Sequence, residues 1–381
     1  MRITGIICEY NPLHLGHKKQ IDRIHDLQGN DSGIVCLMSG NYVQRGAPAI
    51  IDKMHRAKAA IRSGADLVLE LPVTCALSSA EGFAAGGVRI LSGFCDALCF
   101  GAETSDQSAL MHIAATLLSE DFSVHLKVHL ERGISFPAAR EAALADMGCD
   151  AALLKTPNNI LAIEYCKGIL AQNCAMQPMP ILRQGSYHDA LPDSENPSAT
   201  AVRSLMAGDT WRAYVPKEAA ECFDGASLHT LAAGERAILM RLRTMTDREF
   251  EAVPYGSEGL WRKFMHASRQ EATIEDILTS VKSKRYTRTR LDRMLMCAFL
   301  GITAADMTQA VPYVRALAFN DRGREILKQA RQHIAVLNIG QTTDDPYAAF
   351  ERRCDDLYGL FCTTTPEKPD VNRAYRVYYE P

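Results

Sequence analysis

Two histidines near the N-terminus, His14 and His17, have the spacing of a pair that could act on a phosphate. They lie three residues apart in the stretch Glu9-Tyr-Asn-Pro-Leu-His-Leu-Gly-His17. On a helical turn this spacing places both imidazoles on one side. Two imidazoles beside a phosphate can donate hydrogen bonds to the charge that develops when the α-phosphorus is attacked. The pair is therefore a candidate site of nucleotidyl transfer.

The segments around the pair predict a strand followed by a helix. Residues 2–8 form a short apolar run of strand length, Asn11-Pro12 is a turn signal, and apolar residues at helical spacing follow from Ile21 to Leu27. The first turn of a helix has unsatisfied N–H groups and the positive end of the helix dipole, which together can hold an anion. Gly16 removes a side chain where a phosphate would approach the backbone.

The histidine pair could also be a coincidence or a structural feature. In a chain with 11 histidines, two can fall three residues apart by chance, or they can serve as helix caps. A zinc site is less favoured, because a third ligand at a familiar spacing is missing nearby. His14 and His17 also lack the i, i+4 spacing of metalloprotease helices. We therefore assign no metal ligand.

The N-terminal half alternates between predicted strands and predicted helices. Further apolar runs of strand length lie at residues 33–39, 66–71, 96–100 and 180–183, and helical spacing occurs at 52–63, 79–91 and 160–170. Strands with little polar alternation are buried on both faces, which favours a parallel sheet between two layers of helices. We therefore predict a Rossmann-like α/β domain, in which ligands bind beyond the carboxyl ends of the strands.

Independent motifs fall at the predicted carboxyl ends of these strands. The first strand leads to the histidine pair, the second to Ser39-Gly40 and then Arg45, and the strand at 96–100 leads to Gly101. Arg45 could bind a phosphate or a carboxylate, or it could be a solvated loop cation. Gly101 could let adenosine approach the backbone, or it could be an ordinary turn glycine.

The His-x-Gly-His stretch with its Glu-Tyr-Asn-Pro lead-in resembles the signature of the tRNA(Met) cytidine acetate ligases, a branch of the HIGH-type nucleotidyltransferase superfamily. Further blocks resemble that branch and follow its order: Met38–Ala49, Ser63–Pro72, Phe100–Glu103, Pro157–Leu161, Tyr187–Asp189 and Ser198–Arg203. They cover the N-terminal half closely. Beyond it the resemblance is looser and rests on Gly256–Leu260 and Arg285–Arg290.

This resemblance implies that ATP activates acetate as acetyl-adenylate and that the acetyl group passes to the wobble cytidine of elongator tRNA(Met), forming acetylcytidine. It implies that His14 and His17 are catalytic and that the stretch around them binds ATP. The residues of that stretch are Ile7, Cys8, Glu9, Tyr10, Asn11, Pro12, Leu13, His14, Leu15, Gly16, His17, Lys18, Lys19 and Gln20. Mg²⁺ is expected with the triphosphate, although no acidic pair stands out as its ligand.

The resemblance adds nucleotide contacts farther along the chain, at Gly101, Asn158, Arg183, Ser198, Thr200 and Arg203, with Asn159 second to Asn158. The residues alone allow plainer roles. Asn158 follows a proline at a predicted helix start, Arg183 could be a surface arginine, and Ser198 could simply cap a helix. In the superfamily a Ser/Thr-x-x-Arg element occupies the place of Ser198–Arg203. The resemblance implies that this element holds the β- and γ-phosphates.

The second half of the chain is more helical and more basic than the first. We predict an ATP-binding domain over residues 1–210 and a mainly helical tRNA-binding domain with a C-terminal tail over residues 211–381. Helical spacing occurs at 230–245, 260–270, 274–283, 289–300 and 321–330, and the tail begins at Pro346. Residues 241–330 contain 16 Lys and Arg against 11 Asp and Glu, in a chain whose net charge is −3.

A dense basic segment, residues 282–290, carries much of that charge. Its predicted tRNA-binding residues are Lys282, Lys284, Arg285, Tyr286, Arg288 and Arg290. The cations could contact the phosphate backbone, and Tyr286 could stack on a base. The alternative is a solvated helix face, the usual outcome for a run of charges. Arg315, Arg322 and Arg324 are a second place to look for the RNA site.

Composition fits a globular chain with room for about two domains, since 47% of the 381 residues are hydrophobic and 23% are charged. No apolar run reaches the ~18 residues of a membrane span, and the N-terminus lacks a secretory signal, so we expect a cytoplasmic protein. The 12 cysteines are scattered without a Cys-x-x-Cys motif, and we expect thiols.

Two alternative functions remain. A nucleotidyltransferase acting on a small phosphorylated metabolite would share the histidine pair, but it would need no basic accessory domain. A non-catalytic RNA-binding protein could retain the fold as a scaffold. The presence of His14, Gly16 and His17 together argues against that second alternative, because a scaffold has no reason to keep them.

Overall fold

The structure is a computed structural model that describes residues 1–183, 196–365, 368–369 and 375–381, so the Tyr187–Asp189 block lies outside the described residues. Its strands are β1 (Ile3–Cys8), β2 (Gly33–Ser39), β3 (Tyr42–Val43), β4 (Ala47–Pro48), β5 (Leu67–Leu71), β6 (Ala97–Ala102), β7 (Gln177–Leu182), β8 (Val314–Phe319), β9 (Val336–Asn338) and β10 (Tyr378–Tyr379).

The helices that surround these strands are α1 (Leu15–Gln28), α2 (Lys53–Arg62), α3 (Val73–Ala76), α4 (Ala80–Leu91), α5 (Gln107–Leu117), α6 (Glu120–Glu131), α7 (Phe136–Asp146), α8 (Pro157–Ala171) and α9 (Ala199–Leu205). The chain continues through α10 (Lys217–Phe223), α11 (Glu235–Thr244), α12 (Asp247–Ala252), α13 (Leu260–Gln270), α14 (Ile274–Val281), α15 (Arg288–Leu300), α16 (Asp321–Ala330) and α17 (Pro346–Tyr358). None of these helices is long and apolar enough to cross a membrane.

One large sheet organises the molecule, in the strand order β10-β8-β5-β2-β1-β6-β7, with β9 paired to β8. β1 lies between β2 and β6, and both pairings are parallel. β5 and β7 extend the parallel region on either side. The predicted Rossmann-like parallel sheet followed by helices is therefore confirmed. The last of its predicted strands starts earlier than expected, at Gln177.

Alternate residues of each central strand pack on opposite faces of the sheet, because successive side chains of a strand point to opposite sides. Val35 and Leu37 of β2 belong to the core on one face, among side chains of α4, α5, α8 and α16. Ile34 and Cys36 belong to the core on the other face, where Ile21 from α1 also packs. Each fully buried aliphatic side chain contributes about 1.5–3 kcal/mol. The two cores thus fix β1 and the start of α1.

Strands from the second half of the chain also belong to this sheet, which sequence reasoning missed. β8 pairs antiparallel with β5, and β9 and β10 pair parallel with β8. α16 follows β8 and packs closely on the sheet, since a Cβ at Gly323 would lie 1.8 Å from the Asp66 carbonyl oxygen. The sheet therefore crosses the predicted boundary at residue 210, and the two-domain division stays a prediction.

A third core holds the helical part together, with buried residues from α11 to α15 and α17. Pro346–Tyr358, expected to be a tail, is the helix α17, and Cys354 and Tyr358 on it are buried in this core. All 12 cysteines are free thiols, and all except Cys174 are buried.

Candidate nucleotide-binding site

The loop from β1 to α1 is held in place by a buried arginine, Arg56 on α2. Its guanidinium donates to the carbonyl of Ile51 at 2.8 Å, to that of Glu9 at 2.6 Å and to that of Ser39 at 3.0 Å. It also donates to the carbonyl of Gly40. Arg56 therefore ties the carboxyl end of β1 to the carboxyl end of β2. Buried carbonyls need such partners, because an unsatisfied buried polar group is costly.

His14 and His17 form a reciprocal cap at the start of α1. Nδ1 of His14 accepts from the Gly16 N–H at 3.1 Å, and Nδ1 of His17 accepts from the His14 N–H at 3.2 Å. The two rings stack, with centroids 3.7 Å apart, and the Tyr10 ring lies 4.9 Å from that of His17. The helix-cap interpretation of the pair is therefore correct as a description of the backbone, and it leaves both Nε2 atoms available for chemistry.

The caps determine the protonation of both imidazoles. A ring nitrogen that accepts a backbone N–H carries no proton, so in the neutral ring the proton lies on Nε2. Burial, with the Arg183 and Arg203 charges, lowers the pKa of His14 to about 3. Burial and the neighbouring His14 and Arg183 lower the pKa of His17 well below its usual value. Both side chains are therefore neutral Nε2–H donors at physiological pH, and neither is a proton source or a proton acceptor.

The helix start itself is less open to an anion than its sequence predicts. The Gly16 N–H is used by His14, and the His17 N–H donates to the His14 carbonyl at 2.9 Å. The absent side chain of Gly16 makes room for the His14 ring, since a Cβ there would lie 3.0 Å from His14 Cε1. The imidazoles rather than the backbone N–H groups thus present the donors at this end of α1.

Arg203, one turn inside α9, is hydrogen-bonded to the loop between β1 and α1. It donates to the Asn11 carbonyl at 2.7 Å and to the Thr200 hydroxyl at 2.9 Å. The Ser198 hydroxyl caps α9 by accepting from the Ala201 N–H at 3.1 Å. The structure therefore brings Ser198, Thr200 and Arg203 beside the histidine loop, with both hydroxyls already engaged in local hydrogen bonds.

Arg183, just after β7, is close enough to influence both histidines and belongs to a chain of hydrogen bonds. It donates to the side-chain oxygen Oδ1 of Asn158 at 3.0 Å, and the side-chain amide Nδ2 of Asn158 donates to Glu103 at 2.6 Å. Glu103 also accepts from Thr156 and from the Asn159 N–H, each at 2.8 Å. Sequence reasoning had no role for Glu103, although it ends the Phe100–Glu103 block. It fixes Asn158, which in turn orients Arg183.

Gly101 lies beneath the stem of Arg183, since a Cβ at this glycine would lie 2.9 Å from Arg183 Cγ. The glycine therefore provides the room in which the Arg183 side chain crosses the end of β6. The predicted approach of adenosine to the Gly101 backbone remains a prediction, and it would involve this arginine.

Several side chains of the predicted ATP-binding stretch point into the protein. Tyr10 and Leu13 are buried in the core, and the Tyr10 hydroxyl lies 3.4 Å from Cys36 Sγ. Asn11 is also buried, and its side-chain oxygen accepts from the Ile50 N–H at 2.7 Å. The remaining inward or half-buried members are Ile7, Cys8, Pro12, Leu15 and Gln20. Lys18 pairs with Asp22, and Lys19 donates to Asn196 at 3.0 Å. These residues shape the site through the backbone.

The short hairpin formed by β3 and β4 completes the rim of the site. The Gln44 N–H donates to Glu9 Oε1 at 2.8 Å, which joins the hairpin to the histidine loop. Gly46 has a positive φ of 78°, and a Cβ there would lie 2.4 Å from the backbone nitrogen of Arg293 on α15. The hairpin is therefore pressed between the nucleotide side of the molecule and the helical part. Arg45 lies at its exposed tip.

Arginines surround the histidine pair. Arg183 and Arg203 both lie close enough to depress the pKa of His14. The pKa of Arg203 itself is lowered, mainly by burial. The Glu9 carboxylate opposes this shift, and the Arg45 charge adds to it. Their combined field favours an anionic ligand in front of the neutral imidazoles.

The basic segment at 282–290 is less uniformly positive than its sequence predicts. Arg288 pairs with both oxygens of Glu275 at 2.7 Å. Arg285 pairs with Glu258 at 2.6 Å, and Arg290 donates to the Tyr255 carbonyl at 2.7 Å. Arg290 also covers the ring of Tyr286. Lys282 and Lys284 are exposed, and their ammonium groups make no hydrogen bond or ion pair with any described residue. These two lysines are therefore the available cations of the segment.

A buried charged cluster beyond β5 was not foreseen. Lys53 donates to Glu70 at 2.8 and 3.0 Å and to Asp355 at 2.8 Å. Asn41 donates to the second oxygen of Asp355 at 2.9 Å. The signal that could have suggested it is Glu70, a carboxylate inside an otherwise apolar strand. No group of His, Cys, Asp and Glu among the described residues is placed to hold a metal ion.

Comparisons with known proteins identify the family of this chain. The HIGH Nucleotidyl Transferase family model matches residues 1–373. The tRNA(Met) cytidine acetate ligase of Clostridium novyi (strain NT) is 38% identical over 91% of this chain and 92% of its own. That of Alkaliphilus metalliredigens (strain QYMF) is 39% identical over 94% of this chain and 92% of its own.

Solved structures extend the agreement to three dimensions. Apo TmcAL of Thermotoga maritima superposes with a TM-score of 0.90, at 29% identity over 100% of this chain and 99% of its own. The same protein bound with alpha-thio ATP gives a TM-score of 0.86 at 28% identity, with the same coverage. The chain therefore belongs to the tRNA(Met) cytidine acetate ligase family, within the HIGH nucleotidyltransferases.

Proposed function

We propose that this enzyme activates acetate with ATP and transfers the acetyl group to the wobble cytidine of elongator tRNA(Met). The observation that carries the proposal is the pair of stacked, neutral imidazoles of His14 and His17, each with its proton on Nε2, set among arginines. Such an arrangement suits a reaction in which negative charge grows on a phosphate. The relatives named above support the choice of acetate and tRNA(Met).

In the first step an acetate oxygen attacks the α-phosphorus of ATP. The bond from that phosphorus to the bridging oxygen breaks, and pyrophosphate leaves with the bonding electrons. His14 and His17 donate to the α-phosphate oxygens, on which charge increases in the transition state. Because the donors are neutral and fixed by their caps, they need no rearrangement as the reaction proceeds. Arg183, oriented by Asn158, and Arg203 bind the phosphates.

Mg²⁺ enters with ATP as part of the substrate. It would be held by the triphosphate and would offset part of its negative charge. The Ser198–Arg203 element, which Arg203 joins to the histidine loop, completes the phosphate site. A cytoplasmic location follows from the substrates, since ATP and tRNA are found there.

The tRNA binds along the basic segment, residues 282–290. Lys282 and Lys284 contact its phosphates, because the arginines of the segment are largely engaged within the protein. The contact of Gly46 with Arg293 places the second turn of α15 against the hairpin that borders the histidine site. A tRNA on this segment can therefore present a single-stranded nucleotide to the acetyl-adenylate. A nucleotidyltransferase for a small phosphorylated metabolite would not need this surface.

Two half-reactions test the proposal. Purified enzyme with ATP and labelled pyrophosphate should show exchange that depends on acetate and does not need tRNA. With tRNA(Met) added, nucleoside chromatography should detect acetylcytidine. Exchange that needs a phosphorylated metabolite instead of acetate would support the alternative enzyme. A protein that binds tRNA but shows no exchange with any acyl or phosphoryl substrate would be the non-catalytic alternative.

A further inference from the structure

Acetyl transfer to cytidine requires a proton acceptor, and the histidine pair cannot be that acceptor. The exocyclic amine attacks the acetyl carbon and must lose a proton as the new bond forms. In His14 and His17 the unprotonated nitrogen, Nδ1, is occupied by a backbone N–H, and Nε2 already carries a proton. The base for this step, which rests on the function proposed above, must therefore be another group beside the histidine loop.

Among the residues that the structure describes, the carboxylates near the histidine loop are the remaining candidates, and Glu103 can be set aside. One of its oxygens accepts from the Asn158 amide, and the second accepts from Thr156 and from the Asn159 N–H. A carboxylate with both oxygens committed to fixing the nucleotide-binding side chains has little capacity left for a substrate amine. Glu103 also orients Arg183, a proposed phosphate ligand, through Asn158.

Glu9 has a different environment. Its Oε1 accepts from the Gln44 N–H at 2.8 Å, and its backbone carbonyl is held by Arg56 at 2.6 Å. Oε2 has no hydrogen-bond partner among the described residues. The residue is half-buried at the carboxyl end of β1, immediately before Tyr10, whose ring touches that of His17. The carboxylate is thus oriented by two fixed contacts and keeps one oxygen for a ligand.

The hairpin also connects Glu9 to the helical part that carries the basic segment. Gln44 belongs to the same hairpin loop as Gly46, and Gly46 abuts the backbone of Arg293 on α15. The hairpin thus connects the Glu9 carboxylate to α15, the helix that carries Arg288 and Arg290 of the basic segment.

We propose that Glu9 Oε2 binds the exocyclic amine of the acceptor cytidine and takes its proton during acetyl transfer. The amine nitrogen forms a bond to the acetyl carbon, and the bond from that carbon to the phosphate oxygen breaks. AMP leaves with the bonding electrons, and one amine proton passes to Glu9, which later returns it to water. A carboxylate that accepts from the cytosine amine also selects cytosine over uracil, which presents an acceptor at that position.

Glu9→Gln tests this role, because the amide oxygen can still accept from the Gln44 N–H while the side chain can no longer take a proton. The measurement is single-turnover acetyl transfer from enzyme-bound acetyl-adenylate to tRNA, divided by the rate of acetate-dependent pyrophosphate exchange. The ratio should fall by about 100-fold or more, the contribution typical of a general base. Hydroxylamine, which needs no base to attack an acyl-adenylate, reports how much intermediate the variant forms and so separates a loss of transfer from a loss of adenylate formation.

Glu9→Asp provides the matched comparison, since it keeps a carboxylate on a shorter stem. Its transfer ratio should lie above that of Glu9→Gln, whereas a purely structural role would predict the reverse or no difference. The proposal is overturned if Glu9→Gln transfers acetyl groups like the parent. It is equally overturned if exchange and transfer fall by the same factor, which would mark Glu9 as part of ATP binding. An unmodified enzyme that fails to form acetylcytidine would instead overturn the proposed function.

Discussion

Replacing His17 by Gln and by Ala should separate catalysis from helix capping. His17 occupies the third position of α1, where Glu or Gln is the usual partner in a capping box. Gln can therefore accept from the His14 N–H in place of Nδ1, while Ala leaves that N–H without its partner. Both changes remove the Nε2–H donor that faces the α-phosphate in the proposed mechanism.

The two effects have different magnitudes. Loss of one preorganised donor to a developing oxyanion typically lowers the rate by about 100- to 1,000-fold, or about 2.7–4 kcal/mol of transition-state stabilisation. Loss of a capping interaction costs about 1 kcal/mol of folding free energy. We therefore expect both variants to lose pyrophosphate exchange to a similar extent. Only His17→Ala should also unfold more easily, and ATP affinity should change little in either.

The assays are acetate-dependent pyrophosphate exchange, calorimetric titration with ATP, and denaturant unfolding. His25→Gln is a suitable control, because it makes the same chemical change at the far end of α1, where the ring lies 3.5 Å from the Gly64 carbonyl. A His17→Gln enzyme with parental exchange would refute the two-imidazole mechanism. A variant whose ATP affinity falls as much as its rate would show that His17 contributes to ground-state binding.

Two further predictions concern pH and RNA. Burial and the Glu70 charge raise the pKa of Glu351 to about 7, against the opposing Arg315 charge. The folded state thus holds a proton that the unfolded state releases above about pH 4.5. The stabilisation that this proton provides is fully present below about pH 4.5 and is lost as pH rises through 7. Glu351→Gln should therefore reduce the fall of the unfolding free energy over this pH interval, by up to about 3 kcal/mol. Denaturant unfolding at several pH values measures that fall, and the same fall in variant and parent would contradict the assignment. Replacing Lys282 and Lys284 together by Ala should weaken tRNA binding and reduce the slope of log affinity against log salt by about 0.7–0.9 per lost contact, whereas a parental slope would place the RNA site elsewhere.

The sequence determined the parts of this protein that depend on neighbours a few residues apart. The histidine pair, its strand-to-helix junction and the central parallel strands are all visible as local spacing or as short apolar runs. Hydrophobic burial makes such patterns reliable, because a strand covered on both faces must be apolar throughout. Helices such as Leu260–Gln270 and Asp321–Ala330 have the predicted bounds for the same reason.

Only the tertiary structure decided features that join distant segments. β8 could be placed beside β5 only once the sheet was assembled, and the Lys53 cluster joins α2, β5 and α17. The protonation of the histidines follows from backbone contacts and burial that no spacing encodes. Likewise, Arg288 looks like a free cation in sequence, yet it is paired with Glu275 because two helices meet. Electrostatic and hydrogen-bonding roles depend on which groups the fold brings within a few ångströms, and that is settled by packing rather than by local order along the chain.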